Sequence, residues 1–383
     1  MANPKRALIV ATIASFIGFF EMNDICILQD MGCEVHLAAD FYNGLGNKDY
    51  VSFFRDKNVV IHQVDFKRSP LDIRNIKCIS QLRKIISENH ITFIHCHTPV
   101  GGVIARLAAK KYRKTGCKVL YTAHGLQFCK GESLKNWVLF YPVEKVLSHI
   151  TDAIVTINHE DYQLICKRFN NKETFYIPGV GIDTLSFSKK TIDRVKKRME
   201  LGAREDDIIV FSSGELTKRK NHQVIIKAIS KINNPQIRYY IAGDGALKNY
   251  LEKTAKECGV SDRVHLLGFR DDIKEILECV DIFAFPSVHE GFGISLLEAM
   301  ATGLACTATN TQGIKDLILN KDVLHNCYDE HGFAQTINRF ITDRDFARSE
   351  GENNRKYSVE FDIKQTEKQM RVVYQWMCNE AQS

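Results

Sequence analysis

Two glutamates, Glu290 and Glu298, flank the loop that carries the strongest chemical signal in the sequence. The surrounding pattern predicts a strand that ends at Pro286 and a helix that begins near Gly293 and stops before Gly303. The loop between them contains Gly291, Phe292 and Gly293. Backbone N–H groups at the start of a helix are free to bind an anion, and the helix dipole favours negative charge there. We therefore expect this loop to hold a phosphate group.

Glu298 is an acidic residue inside an otherwise apolar stretch. Its neighbours are Leu296, Leu297, Ala299, Met300 and Ala301. A carboxylate in such surroundings costs free energy unless it binds something. The plain alternative is a glutamate on a partly exposed helix surface, and the apolar context favours a ligand contact instead.

Three further loops follow predicted strands in the same half of the chain. Their candidate residues are, in chain order, Gly214, Lys218, Arg219, Lys220, Gly243 and Arg270. Ligands of open parallel sheets bind beyond the carboxyl ends of the strands, so these loops are expected to form one site with the Glu290 loop. The turn at Gly243 is not a dinucleotide fingerprint, because Lys248 occupies the third glycine position. A basic turn can also be plain exposed charge, a reading that suits Lys218 better than Lys220.

Histidines end two predicted strands in the first half. His124 is followed by glycine, whereas His95 and His97 alternate and therefore lie on one face of their strand. A lone histidine is usually structural. The pair suggests a metal site, but no third ligand is evident in the sequence, so we expect His97 to line a cleft.

The elements that must position these residues are short apolar runs separated by helix-length segments. The runs are residues 7–10, 34–38, 59–62, 91–94, 119–122, 153–157, 208–211, 238–242, 264–267, 282–285 and 304–307. Strands that are apolar on both faces and alternate with helices predict parallel sheets covered by helices. We expect domains at residues 1–185 and 186–358, and a C-terminal helix in 359–383 that crosses back to the first domain.

Composition narrows the class of protein. The chain has 383 residues, of which 44% are hydrophobic and 26% charged, as in a globular protein. Residues 1–190 contain 25 Lys+Arg against 17 Asp+Glu, so the net charge of +6 originates in the first half. The basic residues are dispersed and no zinc knuckle or RNP-type motif accompanies them, which argues against nucleic acid and leaves a membrane surface or a solvated helix end.

Twelve cysteines form no C-x-x-C pair, which favours reduced thiols in a cytoplasmic protein. No run reaches the ~20 apolar residues that span a bilayer. The apolar run after Lys5 and Arg6 is expected to be a buried strand and loop, not a signal peptide.

The order of these motifs resembles that of retaining glycosyltransferases with the GT-B fold, family 4. The E-x7-E formed by Glu290 and Glu298 is similar to the family signature, and the loops around Lys220 and Gly243 follow the family order. Residues 126–162 resemble the branch that builds bacterial capsular polysaccharides and exopolysaccharides, the EpsD-like enzymes. One position departs from the family, because Glu215 stands where an arginine is usual. Either Arg219 or Lys218 supplies the missing cation, or Lys220 acts without a partner.

The resemblance implies an α/β chain of two Rossmann-like, doubly wound parallel-sheet domains that face each other across a cleft. It implies a hexosyl- or N-acetylhexosaminyltransferase (EC 2.4) that moves a sugar, with retention, from a nucleotide diphosphate donor. A UDP-sugar is the expected donor. The expected acceptor is a hydroxyl of an undecaprenyl-linked glycan or an oligosaccharide in bacterial surface polysaccharide synthesis.

The resemblance also implies roles for individual residues. The catalytic residues are His124, Lys220 and Glu290. The donor-binding residues are Gly214, Arg219, Gly243, Arg270, Gly291, Phe292, Gly293 and Glu298. The acceptor-side residues are Gly18, from a loosely matching glycine loop after the first strand, and His97. No cofactor or metal is expected, because lysine and helix amides replace the cation, and the D-x-D at Asp343 and Asp345 is read as solvated charge.

Two questions stay open at this level. The basic first domain and the aromatic residues 137–141 suggest peripheral docking on anionic lipid at the inner face of the plasma membrane, although the aromatics suit a core equally well. The rival functions are a noncatalytic nucleotide-sugar sensor or assembly subunit, and a nucleotide-sugar epimerase on the same scaffold. An epimerase needs further acid–base carboxylates, which the sequence does not identify.

Overall fold

The computed structural model describes residues 5–43, 49–130 and 132–379. The chain divides into two compact units, one made of residues 1–180 with 364–383 and the other of residues 181–363. The boundaries expected from the sequence, after 185 and after 358, differ from these divisions by a few residues.

The first unit contains a seven-stranded parallel sheet. Its strands are β1 (Arg6–Ile13), β2 (Glu34–Asp40), β3 (Val60–Gln63), β4 (Phe93–Cys96), β5 (Lys118–Ala123), β6 (Ala153–Thr156) and β7 (Glu173–Tyr176). They lie in the order β3-β2-β1-β4-β5-β6-β7. β1, β4, β5 and β6 are buried along almost their whole length, which explains the continuous apolar runs in the sequence.

Helices cover both faces of this sheet and share two apolar cores with it. They are α1 (Ala14–Phe20), α2 (Met22–Asp30), α3 (Tyr50–Arg55), α4 (Asn75–Glu88), α5 (Pro99–Ala109), α6 (Leu134–Ser148) and α7 (His159–Arg168). The last helix of the chain, Ile363–Asn379, joins the core through Met370, Val373, Tyr374 and Met377.

The second unit contains a six-stranded parallel sheet. Its strands are β8 (Ile208–Ser213), β9 (Ile237–Ala242), β10 (Val264–Gly268), β11 (Ile282–Phe285), β12 (Ala305–Thr309) and β13 (Leu324–His325), in the order β10-β9-β8-β11-β12-β13. Its helices are α8 (Thr184–Ser188), α9 (Arg194–Glu200), α10 (Gln223–Ser230), α11 (Lys248–Glu257), α12 (Ile273–Cys279), α13 (Ile294–Thr302), α14 (Ile314–Leu317), α15 (Glu330–Thr342) and α16 (Arg344–Ser358). The C-terminal helix Ile363–Asn379 is α17.

The prediction of two parallel α/β sheets is confirmed, and every run named from the sequence overlaps a strand. β7 and β13 were not among those runs, because β7 is only partly buried and β13 has two residues. The predicted helix after Gly293 is confirmed as α13, which ends at Gly303 with a left-handed φ of 84°.

Each sheet has one point at which consecutive connections leave in opposite directions. In the first unit β1 lies between β2 and β4, and in the second unit β8 lies between β9 and β11. Crevices at such switch points, outside the carboxyl ends of the strands, are the usual ligand sites of open α/β sheets. The loops that carry His97, Gly214, Gly243 and Glu290 follow β4, β8, β9 and β11, and those of His124 and Arg270 follow the neighbouring strands β5 and β10.

Two local expectations need correction. Residues 15–18 form part of α1 and not a glycine loop, and a Cβ added to Gly18 would lie 2.7 Å from the Tyr50 ring. The close packing against Tyr50 therefore explains a glycine at this position. The suggestion that the aromatic residues of 137–141 form a docking surface also needs correction, because Trp137, Phe140 and Tyr141 all pack against the core, whereas the aliphatic Val138 between them is 76% exposed.

All twelve cysteines are free thiols, and seven of them are buried. No helix among the described residues is both long enough and apolar enough to cross a membrane.

Candidate functional site

Lys220 approaches the end of β8 through a gap left by a glycine. A Cβ on Gly214 would lie 3.1 Å from the Lys220 side chain, and the Lys220 ammonium lies 5.1 Å from the centre of the Phe285 ring. Gly214 itself has a φ of 151°. The glycine thus lets the lysine stem run between the carboxyl ends of β8 and β11, with 13% of the side chain exposed.

Glu290 accepts hydrogen bonds from two cations. Its Oε1 lies 2.6 Å from Lys220 Nζ and 2.7 Å from Arg219 Nη1. Burial by itself raises the pKa of a carboxyl, but the positive charges of Lys220 and Arg219 outweigh it, and the pKa of Glu290 lies below its ordinary value. Two positive charges therefore share one negative charge, and the cluster is net positive.

Arg219, and not Lys218, joins Lys220 at this point. Arg219 also donates to the carbonyl of His289 at 3.2 Å, whereas Lys218 is exposed and has no partner among the described residues. Glu215 is exposed and takes no part in the cluster. Of the cations that the sequence offered in place of the usual arginine, the structure brings only Arg219 to Glu290.

Asn221 ties the lysine turn to its neighbours. The residue has a left-handed φ of 53°, and its Nδ2 donates to the carbonyls of Pro286 at 3.3 Å and Cys327 at 2.6 Å. An asparagine tolerates this backbone conformation better than most residues. The sequence analysis did not single it out, although the Lys-Asn pair was visible.

The start of α13 has free backbone donors, as the sequence predicted. The N–H groups of Phe292, Gly293 and Ile294 find no acceptor among the described residues, and no side chain caps the helix. Gly293 has a left-handed φ of 103°, which turns the chain into the helix. The ring of Phe292 is buried against Phe361, so Phe292 can meet a ligand through its backbone and not through its ring.

Glu298 lies in the second turn of α13 and is largely buried. Its carboxylate has no hydrogen-bond or charge partner among the described residues, and burial raises its pKa from 4.5 to about 7. This is the cost that the sequence predicted for an acid in an apolar stretch. A ligand that offers hydroxyl donors would remove it.

Gly243 brings two loops close to one another. A Cβ on Gly243 would lie 2.1 Å from the carbonyl oxygen of Gly214, and its N–H donates to Gly268 at 2.7 Å. Arg270, in the loop after β10, pairs with Asp272 at 2.7 Å and with Glu200 at 2.9 Å. The guanidinium is therefore held by protein carboxylates, and the expected contact with a nucleotide base stays a prediction.

Gly313 packs closely against the Gly291–Gly293 loop, and the sequence analysis missed it. Its φ of −69° suits any residue, but a Cβ would lie 2.1 Å from the carbonyl oxygen of Gly291.

We expect Gly313→Ala to displace the loop and to weaken UDP binding about tenfold or more, since small misplacements of a binding group have large effects. Calorimetric titration with UDP measures this loss.

The matched control is Gly259→Ala. Gly259 has a left-handed φ of 68° with nothing within 4 Å of an added Cβ, so alanine there costs backbone strain of about 1 kcal/mol and displaces no neighbour. Unchanged UDP affinity in Gly313→Ala would show that the close approach is unimportant.

In the first unit, His124 belongs to a compact cluster at the carboxyl ends of β1, β4 and β5. His97 Nδ1 lies 3.0 Å from His124 Nε2, and Glu21 Oε1 lies 3.3 Å from the former and 3.4 Å from the latter. His97 is wholly buried, so the expectation that it lines a cleft is wrong. Sequence reasoning missed Glu21, whose only signal was an acid inside the apolar run that follows β1.

A second group of polar residues continues the cluster inward. Asp24 Oδ2 lies 3.4 Å from His95 Nδ1, which in turn lies 2.8 Å from the Tyr374 hydroxyl of α17. Burial raises the pKa of Asp24 to about 6, and burial together with the Asp24 charge raises the pKa of Glu21 further. Burial lowers the pKa of His124 to about 4. Acids and histidines alike are thus shifted toward their neutral forms.

A pocket of about 40 Å³ opens beside this cluster, with Glu21, Asp24, Thr122 and His124 among its lining residues. His124, expected from the sequence to be catalytic, lines this pocket, whereas His97, expected on the acceptor side, does not. Gly18 is absent from its lining as well.

Comparison with known proteins identifies both halves of the chain. Residues 27–184 match the family described as Glycosyltransferase Family 4, and residues 193–357 match Glycosyl transferases group 1. The chain is 36% identical over 377 residues to EpsD of Bacillus subtilis (strain 168), which bears a provisional name as a glycosyltransferase. That match covers 97% of this chain and 96% of EpsD.

Two further likenesses concern a shorter region and the fold. The chain is 29% identical over 258 residues, 65% of each protein, to the UDP-Gal:alpha-D-GlcNAc-diphosphoundecaprenol alpha-1,3-galactosyltransferase of Escherichia coli. Its fold is similar to the crystal structure of Anabaena Alr3699/HepE in complex with UDP, with a TM-score of 0.78 and 19% identity. That likeness covers 98% of this chain and 100% of the other. At such low identity it shows the fold alone.

Proposed function

The chain belongs to the GT-B glycosyltransferases, with a family 4 domain followed by a group 1 domain, and we propose that it transfers a sugar from a UDP-sugar to a lipid-linked glycan. The transferase class follows from family membership. Donor, acceptor and retention of the anomeric configuration form the proposal. The observation that carries it is the contact of Lys220 and Arg219 with Glu290 beside the uncapped start of α13.

The charge pattern suits a nucleotide diphosphate. As the bond between sugar and diphosphate breaks, negative charge develops on the leaving oxygen, and fixed donors nearby stabilise that transition state. The Lys220 ammonium and the N–H groups of residues 292–294 are the donors that meet this requirement. Glu290 holds Lys220 in position through Oε1, and we assign its carboxylate to the donor-sugar and diphosphate side.

Glu298 suits the ribose of the nucleotide. Its unpartnered carboxylate accepts hydrogen bonds from two neighbouring hydroxyls, which would offset the cost of its burial. His124 stays a prediction for contact with the transferred sugar. Its exposed edge beside a small polar pocket supports a sugar contact.

The relatives support the choice of donor and acceptor. The similar Anabaena structure holds UDP, and the name of the Escherichia coli relative specifies a UDP-sugar and an undecaprenol-linked acceptor. We propose the same classes for this chain, with either a hexose or an N-acetylhexosamine transferred. The assignment to bacterial capsule or exopolysaccharide synthesis rests on the resemblance of residues 126–162, and the proposed cytoplasmic location rests on the free cysteines.

We propose that lysine, arginine and helix amides, and not a metal ion, bind the diphosphate and neutralise its negative charge. Asp343, the first acid of the only D-x-D, accepts from the N–H of Phe346 at 3.0 Å and caps α16. The Asp343 carboxylate thus stabilises the start of a helix.

A panel of nucleotide sugars tests the proposal. The full chain is incubated with each UDP- and GDP-sugar, with and without an undecaprenyl-linked acceptor, and release of UDP or GDP is measured. We expect UDP release from one sugar nucleotide, stimulated by acceptor. A sensor would bind UDP and release none, and an epimerase would convert the donor without releasing UDP; either result contradicts the proposal.

We further propose that α6 docks on anionic lipid. Leu134, Val138 and Val146 of this helix are between 67% and 82% exposed, and residues 1–190 carry the positive charge of the chain. Liposome co-sedimentation is expected to increase with anionic lipid and to decrease in Val138→Ser. Val195→Ser, at a half-exposed position of α9, is the control. Equal binding to neutral and anionic liposomes would remove the electrostatic part of this proposal.

A further inference from the structure

Three potential metal-ligand atoms meet in the first unit in a nearly equilateral triangle. They are Glu21 Oε1, His97 Nδ1 and His124 Nε2, and their separations are 3.0, 3.3 and 3.4 Å. The residues come from the start of α2, the end of β4 and the end of β5, so that only the folded sheet brings them together.

The size of this triangle matches one face of a tetrahedral zinc site. Zinc binds nitrogen and carboxylate oxygen at about 2.0–2.1 Å, and the ligand atoms of a regular tetrahedron are then about 3.3–3.4 Å apart. Two histidines and one carboxylate are also a donor set that zinc favours. The donor types and two of the three separations therefore agree with such a site, and the two histidine nitrogens would move apart by about 0.3 Å to complete it.

One oxygen of this cluster has no hydrogen-bond partner among the described residues. Glu21 Oε1 is buried and makes no hydrogen bond of acceptable geometry to any described residue, although both histidine nitrogens lie close. Glu21 as a whole is 3% exposed. A buried carboxylate oxygen without a partner is costly, and a cation at the centre of the triangle would bind it together with both nitrogens.

A neighbouring group of potential ligands is less suitable. Asp24, His95 and His97 also offer ligand atoms that lie near one another. Both ring nitrogens of His95 are already engaged, with Tyr374 at 2.8 Å and with Thr122 at 2.7 Å. A metal at His95 would have to break one of these bonds to another element, whereas zinc at the Glu21 group would replace only the hydrogen bond between its own two ligands, His97 Nδ1 and His124 Nε2.

Catalytic zinc sites keep one coordination position open, and the structure provides room for it. Glu21 and His124 line the pocket of about 40 Å³, which exceeds the ~10–15 Å³ that one water requires. A fourth ligand, either water or a substrate hydroxyl, would enter from this side.

We propose that Glu21, His97 and His124 bind one zinc-class divalent ion whose fourth position opens to this pocket. All three ligands belong to the first unit, and the proposal does not depend on the proposed sugar transfer. His124 would hold the ion through Nε2 and keep its exposed edge toward the pocket, and the ion would polarise a hydroxyl bound at its fourth position.

The test uses tag-free, full-length protein that has been treated with a chelator and dialysed. Calorimetric titration with Zn²⁺ is expected to give one ion per chain, and Zn²⁺ is expected to raise the melting temperature. Co²⁺ in its place is expected to give the visible absorption typical of four-coordinate cobalt. Glu21→Gln, His97→Gln and His124→Gln each lower the affinity for Zn²⁺ about 100-fold or more.

His62→Gln is the matched control. His62 pairs with His36 at 2.9 Å, but Glu34 faces the opposite nitrogen of His36, so these three residues share no common centre. This variant is expected to bind Zn²⁺ as the wild type does. Failure of the wild type to bind Zn²⁺ or Co²⁺ overturns the proposal and leaves a hydrogen-bonded cluster that shares protons. A Glu21→Gln variant that binds Zn²⁺ as tightly as the wild type also overturns the proposal. The cobalt spectrum is measured on the wild type, so that part of the test does not depend on whether the variants fold.

Discussion

Lys220→Met is expected to lower kcat for sugar transfer by about 100- to 1000-fold, the usual loss when one donor to a developing negative charge is removed. Methionine keeps the apolar stem that packs between Gly214 and Phe285 and removes only the charged end. Glu290 retains Arg219, a half-exposed partner, so the fold is expected to survive. Steady-state UDP release gives kcat and KM, and thermal melting checks the fold.

Two neighbours of Lys220 serve as controls. Lys218→Met removes an exposed cation without a partner among the described residues and is expected to leave turnover unchanged. Arg219→Met removes the second cation on Glu290 and is expected to have an intermediate effect, since Arg219 is 46% exposed. Wild-type turnover in Lys220→Met would exclude the assigned role.

Glu298→Gln is expected to have opposite effects on stability and on nucleotide binding. The pKa of Glu298 is raised from 4.5 to about 7 in the folded protein, so folding takes up a proton between these values. The stability of the ligand-free wild type therefore falls as pH rises from 4.5 to 7, and the loss persists at higher pH. A shift of this size corresponds to at most about 3 kcal/mol.

Glutamine has the shape of glutamate but no charge to bury. We expect Glu298→Gln to match the wild type at pH 4 and to exceed its stability at pH 8 by up to about 3 kcal/mol. Its affinity for UDP is expected to fall about ten- to 100-fold, because the charged acceptor for the ribose hydroxyls is lost. Urea denaturation at both pH values and calorimetric titration with UDP measure these changes.

The difference between wild type and variant isolates Glu298, because all other titrating groups contribute equally to both proteins. Glu252→Gln, at an exposed position of α11, is the control and is expected to alter neither quantity. A Glu298→Gln protein that is less stable than the wild type at pH 8 would mean that Glu298 has a partner in the folded chain.

Some tertiary contacts of the candidate site could not be read from the sequence. Gly313 opposes Gly291 because β12 lies beside β11, and strand order is not written in any local pattern. Lys218 and Arg219 were equivalent as residue types, and only the path of the turn brings Arg219 to Glu290. The spacing of residues in the sequence gives the candidates for the site, and tertiary packing decides which of them make contact.

The sequence by itself determined the two parallel sheets and the helix α13, with Glu290 in the loop before this helix and Glu298 in its second turn. Strands, helix starts and turns can be predicted in this way because they depend on the types and spacing of a few neighbouring residues. The sequence also carried the family resemblance that comparison confirmed. Only the tertiary structure decided that Glu21 meets His97 and His124, that His97 is buried, and that Glu298 has no partner within the described chain. These contacts join segments that are distant in sequence, and burial and distance between such segments arise only when the sheets assemble.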